Sequence, residues 1–286
     1  LLYEQRPHKF TSEVARVMLK LREGSQLREE HRACEKVQDP YSYRCFANVA
    51  SSLLSAWSNL AEALFIEANA VTDNPLVFPD KDKVLSGANF HAETLSMLAE
   101  FCALAIARSA MMSERRVNHL LHPGLESGLP AFLAGASGLV SGLMSLQYVD
   151  SGLVAESCQL AHPVTATNIP VSGDQEDFLS YSMTSALKLR RSLELFSKIV
   201  AIELIVSVKG VALRAGMDKL NRPPSETSLS LQKCVQKILT IIDIPFEDSP
   251  YTERIEKLSK ELVSGALGPS TLQELGIPIE VLLSWL

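Results

Sequence analysis

Apolar residues recur at three- and four-residue spacing along most of this 286-residue chain, and alternation with a period of two is nearly absent. That pattern predicts an all-α fold. Val14, Val17, Met18 and Leu21 fall on one face of a helix over residues 12–27, with Ser12 placed to cap it. A second helix is expected over 47–68, where Ala47, Ala50, Ser51, Ser52, Ser55 and Ala56 are small enough for close helix approach. Further helices are expected over 90–121, 139–160 and 174–215, the last of roughly 40 residues and so roughly 60 Å. Leu187, Leu193, Phe196, Val200, Ile202 and Leu204 put apolar groups on more than one side of it. Several neighbours must cover such a helix, some of them from other subunits, and the architecture implied is a long-helix bundle.

Punctuation divides the pattern. Asp73-Asn74-Pro75 and Gly87 break it between the second and third helices, leaving a connection long enough to carry function. After Arg222-Pro223-Pro224 the chain becomes more charged and its helices shorter, near 228–241, 251–264, 270–275 and 279–286. The expected organisation is therefore a central helical bundle over 1–222 and a small helical appendage over 223–286.

Composition narrows the classes. With 47% hydrophobic and 21% charged residues the chain can bury one large core or two small ones. Its 27 Lys and Arg against 33 Asp and Glu offer no basic surface, so nucleic acid is not an expected partner. Cys34, Cys45, Cys102, Cys158 and Cys234 are odd in number and lack metal-ligand spacing, so no metal is expected and reduced thiols in the cytoplasm fit best. The greasy run over 193–213 is interrupted by Glu194, Lys198, Glu203 and Lys209, so no membrane span is expected there. A start at Leu1, with no signal-like segment, reads as a fragment.

Three stretches could carry chemistry. Gln38, Tyr41 and Arg44 lie within seven residues of an irregular segment and could face one cavity. Arg44 offers a fork suited to a carboxylate, Tyr41 a phenol that could pass a proton, and Gln38 both donor and acceptor. The same residues also suit a loop that only satisfies buried backbone groups. In the second stretch, residues 67–75 and 86–93, Asp73 and Asn74 suit an Asx-type turn, Asn89 a helix cap, and His91 either a catalyst or a hydrogen-bonded structural histidine. In the third, Asp174, Glu176 and Asp177 would sit in the first turn of the longest helix. Capping explains two acids there, and the third makes Glu176 a candidate ligand for an ammonium or imidazole group. Ser113-Glu114-Arg115-Arg116 reads as an exposed or intersubunit ion-pair patch.

Six blocks in order carry a resemblance: QDPYSYRC at 38–45, EANAVTDNPLVF at 67–78, SGANFHAE at 86–93, SERR at 113–116, GLPAFL at 128–133 and DQED at 174–177. Together they resemble the aromatic amino acid ammonia-lyases, the family of histidine and phenylalanine ammonia-lyases, over about residues 30–190.

The resemblance implies the C-terminal part of an ammonia-lyase fold, assembled as a homotetramer whose sites draw on three subunits. It also implies an internal electrophile, 4-methylidene-imidazol-5-one (MIO), cyclised from an Ala-Ser-Gly tripeptide upstream of the 38–45 block. That tripeptide would lie in an N-terminal half acting as this chain's partner. Ala136-Ser137-Gly138 matches the tripeptide by chance and is read as a decoy, because it falls downstream of GLPAFL in a packing segment.

Carried over residue by residue, Arg44 would bind the substrate carboxylate and Tyr41 would assist proton transfer. Gln38 would hydrogen-bond beside the electrophile, Phe90 would pack on its ring, and Glu176 would meet the substrate's amino or imidazole group. Gln175-Glu176-Asp177 resembles histidine-specific members, implying histidine as substrate and trans-urocanate as product. Phe46-Ala47-Asn48-Val49 and Val140 depart from the common pattern and keep phenylalanine or tyrosine ammonia-lyase and aminomutase activity open. A non-catalytic helical assembly module is the alternative of a different class.

Overall fold

The structure, a computed structural model, describes residues 2–30, 37–122, 124, 128–135, 138–274 and 276. It is mainly α-helical. After a 3-10 turn at Leu2–Gln5 come α1 (Thr11–Leu21), α2 (Gln26–Glu30), α3 (Tyr41–Arg44) and α4 (Phe46–Ala68). A short antiparallel hairpin of β1 (Leu76–Phe78) and β2 (Lys83–Leu85) precedes α5 (Glu93–Leu121). Then follow α6 (Met144–Leu160), α7 (Ser182–Arg214), α8 (Leu229–Ile241), α9 (Thr252–Val263) and α10 (Pro269–Glu274).

Two helices form the axis of the molecule. Ser96 and Ser185 share a hydrogen bond of 2.8 Å, Lys188 reaches Glu100 at 2.8 Å, and Ser113 and Arg116 both reach Glu203. Partners advance together along both sequences, so α5 and α7 run parallel and in step. α4 returns antiparallel to α5, burying Ala56 and Leu60 against Ala99, Cys102 and Ile106, where small side chains let the helices approach. Gln147 of α6 donates to Asn118 while the segment after α6 meets Glu100, so α6 is antiparallel to α5 as well. α4 and α5 are long and apolar enough to cross a membrane by length and composition; α5 packs against α4, α6 and α7, whereas α4 leaves apolar side chains such as Phe65 and Ile66 exposed.

The helices after residue 223 pack into a core shared with the bundle. Val235, Ile238, Ile255 and Leu258 join Val117, Leu121, Ile202 and Ile205 in one apolar cluster. Between α5 and α6 the chain ties a tight knot. Phe132 and Leu133 take positive φ, the Leu143 N–H donates to the Phe132 carbonyl at 2.8 Å, and Asp248 accepts from the N–H groups of Ser141 and Gly142. A Cβ on Gly142, at φ +58°, would stand 2.5 Å from the Phe132 oxygen, so this glycine is required by close approach and by backbone conformation together. Of the decoy tripeptide, Ala136 and Ser137 lie outside the described residues, as do Cys34 and the helix expected near 279–286.

Several expectations need correction. Ser12 does not cap α1: Phe10 is the capping residue, left-handed at φ 70°, without a side-chain bond. α5 starts at Glu93, and Asn89 donates to the Val71 carbonyl instead of capping a helix. The strands at 76–78 and 83–85 are three residues each, and Leu-Val-Phe and Lys-Val-Leu carry no period-two signal. The longest helix starts at Ser182, not 174, so its first turn holds no acid and Asp174, Glu176 and Asp177 belong to the preceding loop. The 113–116 stretch is exposed only in part: Ser113 and Glu114 are buried and Arg116 is paired to Glu203 across the α5–α7 contact, while Arg115 is exposed and paired to Glu114.

Asp150 on α6 is fully buried, and neither of its carboxylate oxygens has a hydrogen-bond partner. Burial, together with the nearby Glu114 and Glu203 carboxylates, pushes its pKa up to about 7. Arg115 and Arg116 are committed to those same glutamates and leave Asp150 without a cation. The native state therefore holds this proton more tightly than the unfolded chain does, and stability falls as pH rises from the unfolded value near 3.8 to about 7, then levels off. Asp150→Asn removes that slope. Its stability advantage over the parent should widen by on the order of 2–3 kcal/mol between about pH 5 and about pH 8, read by urea melts at the two pH values.

Candidate functional site

The residues singled out in the sequence gather at two places. At one end of the bundle, residues 38–44 pack where α5 finishes. The Arg116 guanidinium donates to the Ser42 carbonyl at 3.1 Å, and the Tyr43 ring lies 5.8 Å from that of His119. Here Arg44 stands over the Tyr41 ring at 4.8 Å, a cation–π contact that pairs the guanidinium with the phenol. Both side chains are exposed, as is Gln38, and Arg44 forms no ion pair among the described residues. Asp39, Tyr43 and Arg44 form one wall of an open cavity of about 990 Å³ whose opposite wall is the 3-10 turn and α1.

At the other end, the connection over 69–92 and the loop over 161–181 come together where α5 and α7 begin. Asn74 organises the first of these: its Oδ1 accepts from Ser86 Oγ at 3.1 Å and from the Gly87 N–H at 2.8 Å. Phe90 is 56% exposed, an uncovered ring at the end of this connection. The His91 Nε2–H donates to the Phe178 carbonyl at 3.2 Å and the two rings stack with centroids 6.1 Å apart. The stretches carrying Phe90 and Glu176 are thereby brought into contact.

The loop bearing Glu176 is wired at several points. Asn168 closes it, donating to the Asp177 carbonyl at 2.6 Å and accepting from the Leu179 N–H at 3.1 Å. Val171 and Glu176 form an isolated antiparallel bridge, and the turn between them uses positive φ at Ser172, Gly173 and Asp174. Ser172 Oγ donates to Glu176 Oε1 at 3.0 Å, which orients an otherwise exposed carboxylate.

Sequence reasoning missed Glu100, which anchors this loop from below. It is buried, and its oxygens accept from the Val164 N–H at 2.6 Å, the Thr165 hydroxyl at 2.6 Å and Lys188 Nζ at 2.8 Å. Lys188 also donates to the His162 carbonyl. Burial opposes the charge on Glu100, but the bonds from Lys188, Thr165 and Val164 outweigh it and hold its pKa below the usual carboxylate range. A glutamate on an apolar helix was the available signal, since such a group stays buried only when paired.

The two places are far apart. From Glu93 to Arg116 α5 rises by about 35 Å, so Arg44 and Tyr41 cannot share a cavity with Phe90 and Glu176 of the same chain. The expectation that each stretch contributes to a site is compatible with this geometry only if the two ends belong to different copies. The Phe90 end is flanked by uncovered apolar side chains on the long helices, including Phe65, Ile66, Met97, Phe101 and Leu187. Among the described residues, no group of three or more His, Cys, Asp or Glu side chains could hold a metal.

Comparison with known proteins agrees with this architecture. The family described as "Aromatic amino acid lyase" matches residues 1–238. A histidine ammonia-lyase of Burkholderia mallei is 40% identical over 275 residues, covering 95% of this chain and 52% of that protein. The crystal structure of histidine ammonia-lyase from Trypanosoma cruzi superposes with a TM-score of 0.81 at 32% identity, over 98% of this chain and 52% of that one. Tyrosine aminomutase from Streptomyces globisporus gives a TM-score of 0.82 at 27% identity, over 94% and 53%. The chain thus spans about half the length of the curated relatives it matches.

Replacing Glu100 by Gln leaves Lys188 buried without its counter-charge. The variant should lose about 3–5 kcal/mol of stability in urea unfolding near neutral pH. The gap should narrow as pH falls from the usual carboxylate range toward the lower native pKa of Glu100, because a group with a lowered native pKa contributes only while ionised.

Proposed function

Because this chain belongs to the aromatic amino acid lyase family, we propose that it is the C-terminal part of an ammonia-lyase that converts L-histidine to trans-urocanate. The observation that carries the reading is the exposed pair at one end of the bundle, a guanidinium over a phenol that forms no ion pair among the described residues. Such a group suits an amino acid carboxylate, which can take two parallel hydrogen bonds from the arginine fork.

In this reading MIO, formed from an Ala-Ser-Gly in the half of the relatives' length that this chain does not span, supplies an electrophile that makes the substrate's amino group a better leaving group. The uncovered ring of Phe90, the phenol of Tyr41 and the amide of Gln38 fit a flat polar group of that kind. Arg44 holds the carboxylate, Tyr41 passes a proton during the elimination, and Gln38 hydrogen-bonds beside the electrophile. Glu176, oriented by Ser172, meets the amino group or the imidazole ring. An acid suits a polar, protonatable ring better than a phenyl ring, which favours histidine over phenylalanine and tyrosine.

The rise of about 35 Å along α5 between the end that carries Arg44 and the end that carries Glu176 supports a site shared between copies. A second chain whose α5 runs the opposite way would bring its 86–91 and 172–178 loops to the Arg44 end of the first. The apolar faces left uncovered on α4, α5 and α7 support burial in a homotetramer. The four described cysteines are free thiols, which accords with a cytoplasmic location.

The test is turnover of histidine, phenylalanine and tyrosine by the chain joined to its upstream half, with the products identified. Urocanate from histidine alone is expected, and Arg44→Ala should lower kcat/KM by about a hundredfold or more. Products from phenylalanine or tyrosine would overturn the substrate assignment, and a β-amino acid product would favour the aminomutase reading. No turnover of any, or unchanged kinetics on losing Arg44, would contradict the proposed role.

A further inference from the structure

His91 is a motif residue that the proposed chemistry leaves without a part. It follows Phe90 directly, and its imidazole is already engaged: Nε2 donates to the Phe178 carbonyl at 3.2 Å, and its ring stacks on the Phe178 ring at an interplanar angle of 20°. Phe178 stands two residues after Glu176, in a loop closed around Asn168. The loop's other supports, Glu100 below residues 164–165 and Ser172 within the turn, do not touch the 86–91 stretch. Among the described hydrogen bonds and ring contacts, His91 therefore joins the turn that presents Phe90 to the loop that presents Glu176.

We propose that His91 is a positioning residue for the elimination, a clamp that holds the Glu176 loop against Phe90 through the Phe178 carbonyl and ring. The proposal rests on the ammonia-lyase reading for its consequence in turnover, and on the geometry alone for its consequence in loop order. A nitrogen committed to a backbone carbonyl is poorly placed to take a proton from substrate, so His91 acts through Glu176 and Phe90. The neutral imidazole must carry its proton on Nε2 to donate here, which leaves Nδ1 as an acceptor.

Three variants separate the clamp from a general structural role. His91→Ala removes the donor and the ring. His91→Gln places an amide N–H near the position of Nε2, whereas His91→Asn places one nearer Nδ1 and cannot reach the Phe178 carbonyl. In the protein joined to its upstream half, His91→Ala and His91→Asn should lower kcat/KM for the substrate by about tenfold, and His91→Gln should recover most of that loss. Amide exchange over residues 171–179 should quicken about tenfold in the Ala and Asn variants and return in Gln, while exchange over the middle of α5 stays unchanged.

Activity lost without recovery in Gln, or unchanged exchange over 171–179 in the Ala variant, would overturn the clamp. If the parent protein turns over none of the amino acids, the ammonia-lyase reading fails by itself, and the exchange pattern alone decides whether His91 holds the loop.

Discussion

Two part-buried ion pairs fix how the two longest helices lie against one another. Glu100 meets Lys188 near the start of α5 and α7, and Arg116 meets Glu203 further along. Because the residues between the pairs are nearly equal in number on both helices, neither can slide or rotate without pulling a part-buried charge from its partner. Everything else is referred to that axis. α4 and α6 pack antiparallel onto α5, the knot at 131–143 seats beside the far end of α7, and the loops at both ends are carried by groups on these helices. Glu100 itself reaches beyond the helix pair to hold Val164 and Thr165, so a constraint on helix register is also a constraint on the loop bearing Glu176.

The consequence of a long rigid axis is separation. Arg44 and Tyr41 are fixed at one end by the contacts of Ser42 and Tyr43 with Arg116 and His119, and Phe90 and Glu176 at the other by the His91 contact. Neither end offers a complete set of groups for binding an amino acid by carboxylate, amine and side chain. The uncovered apolar faces between them suit burial against further copies, and an antiparallel neighbour is the arrangement that completes both ends at once.

Legibility in the sequence followed the range of the interaction involved. α4 was found to within one residue because its small and apolar positions repeat at helical spacing over 23 residues. The start of α7 was misplaced because Asp174, Glu176 and Asp177 look like first-turn acids, whereas the chain there bends through left-handed residues held by Asn168 and the Val171–Glu176 bridge. Nothing local in the sequence announces those contacts. The 113–116 stretch was read as surface because charge clusters usually are, and only its partner Glu203, 87 positions away, shows why most of it is internal. The motif blocks were legible one by one; their division between two ends follows from helix length and direction. Glu100 and Asp150 escaped notice because a single acid on an apolar helix has no pattern, only an environment.

The claim that the two ends serve one site in different copies is tested most directly by complementation. Arg44→Ala and Glu176→Ala, each placed in the chain joined to its upstream half, would be assayed separately and then co-expressed and assayed together. Random mixing should restore turnover to roughly a quarter of the parent rate, since some sites would then draw an intact Arg44 from one copy and an intact Glu176 from another. Turnover no greater than that of the separate variants, with mixed oligomers shown to form, would contradict a shared site.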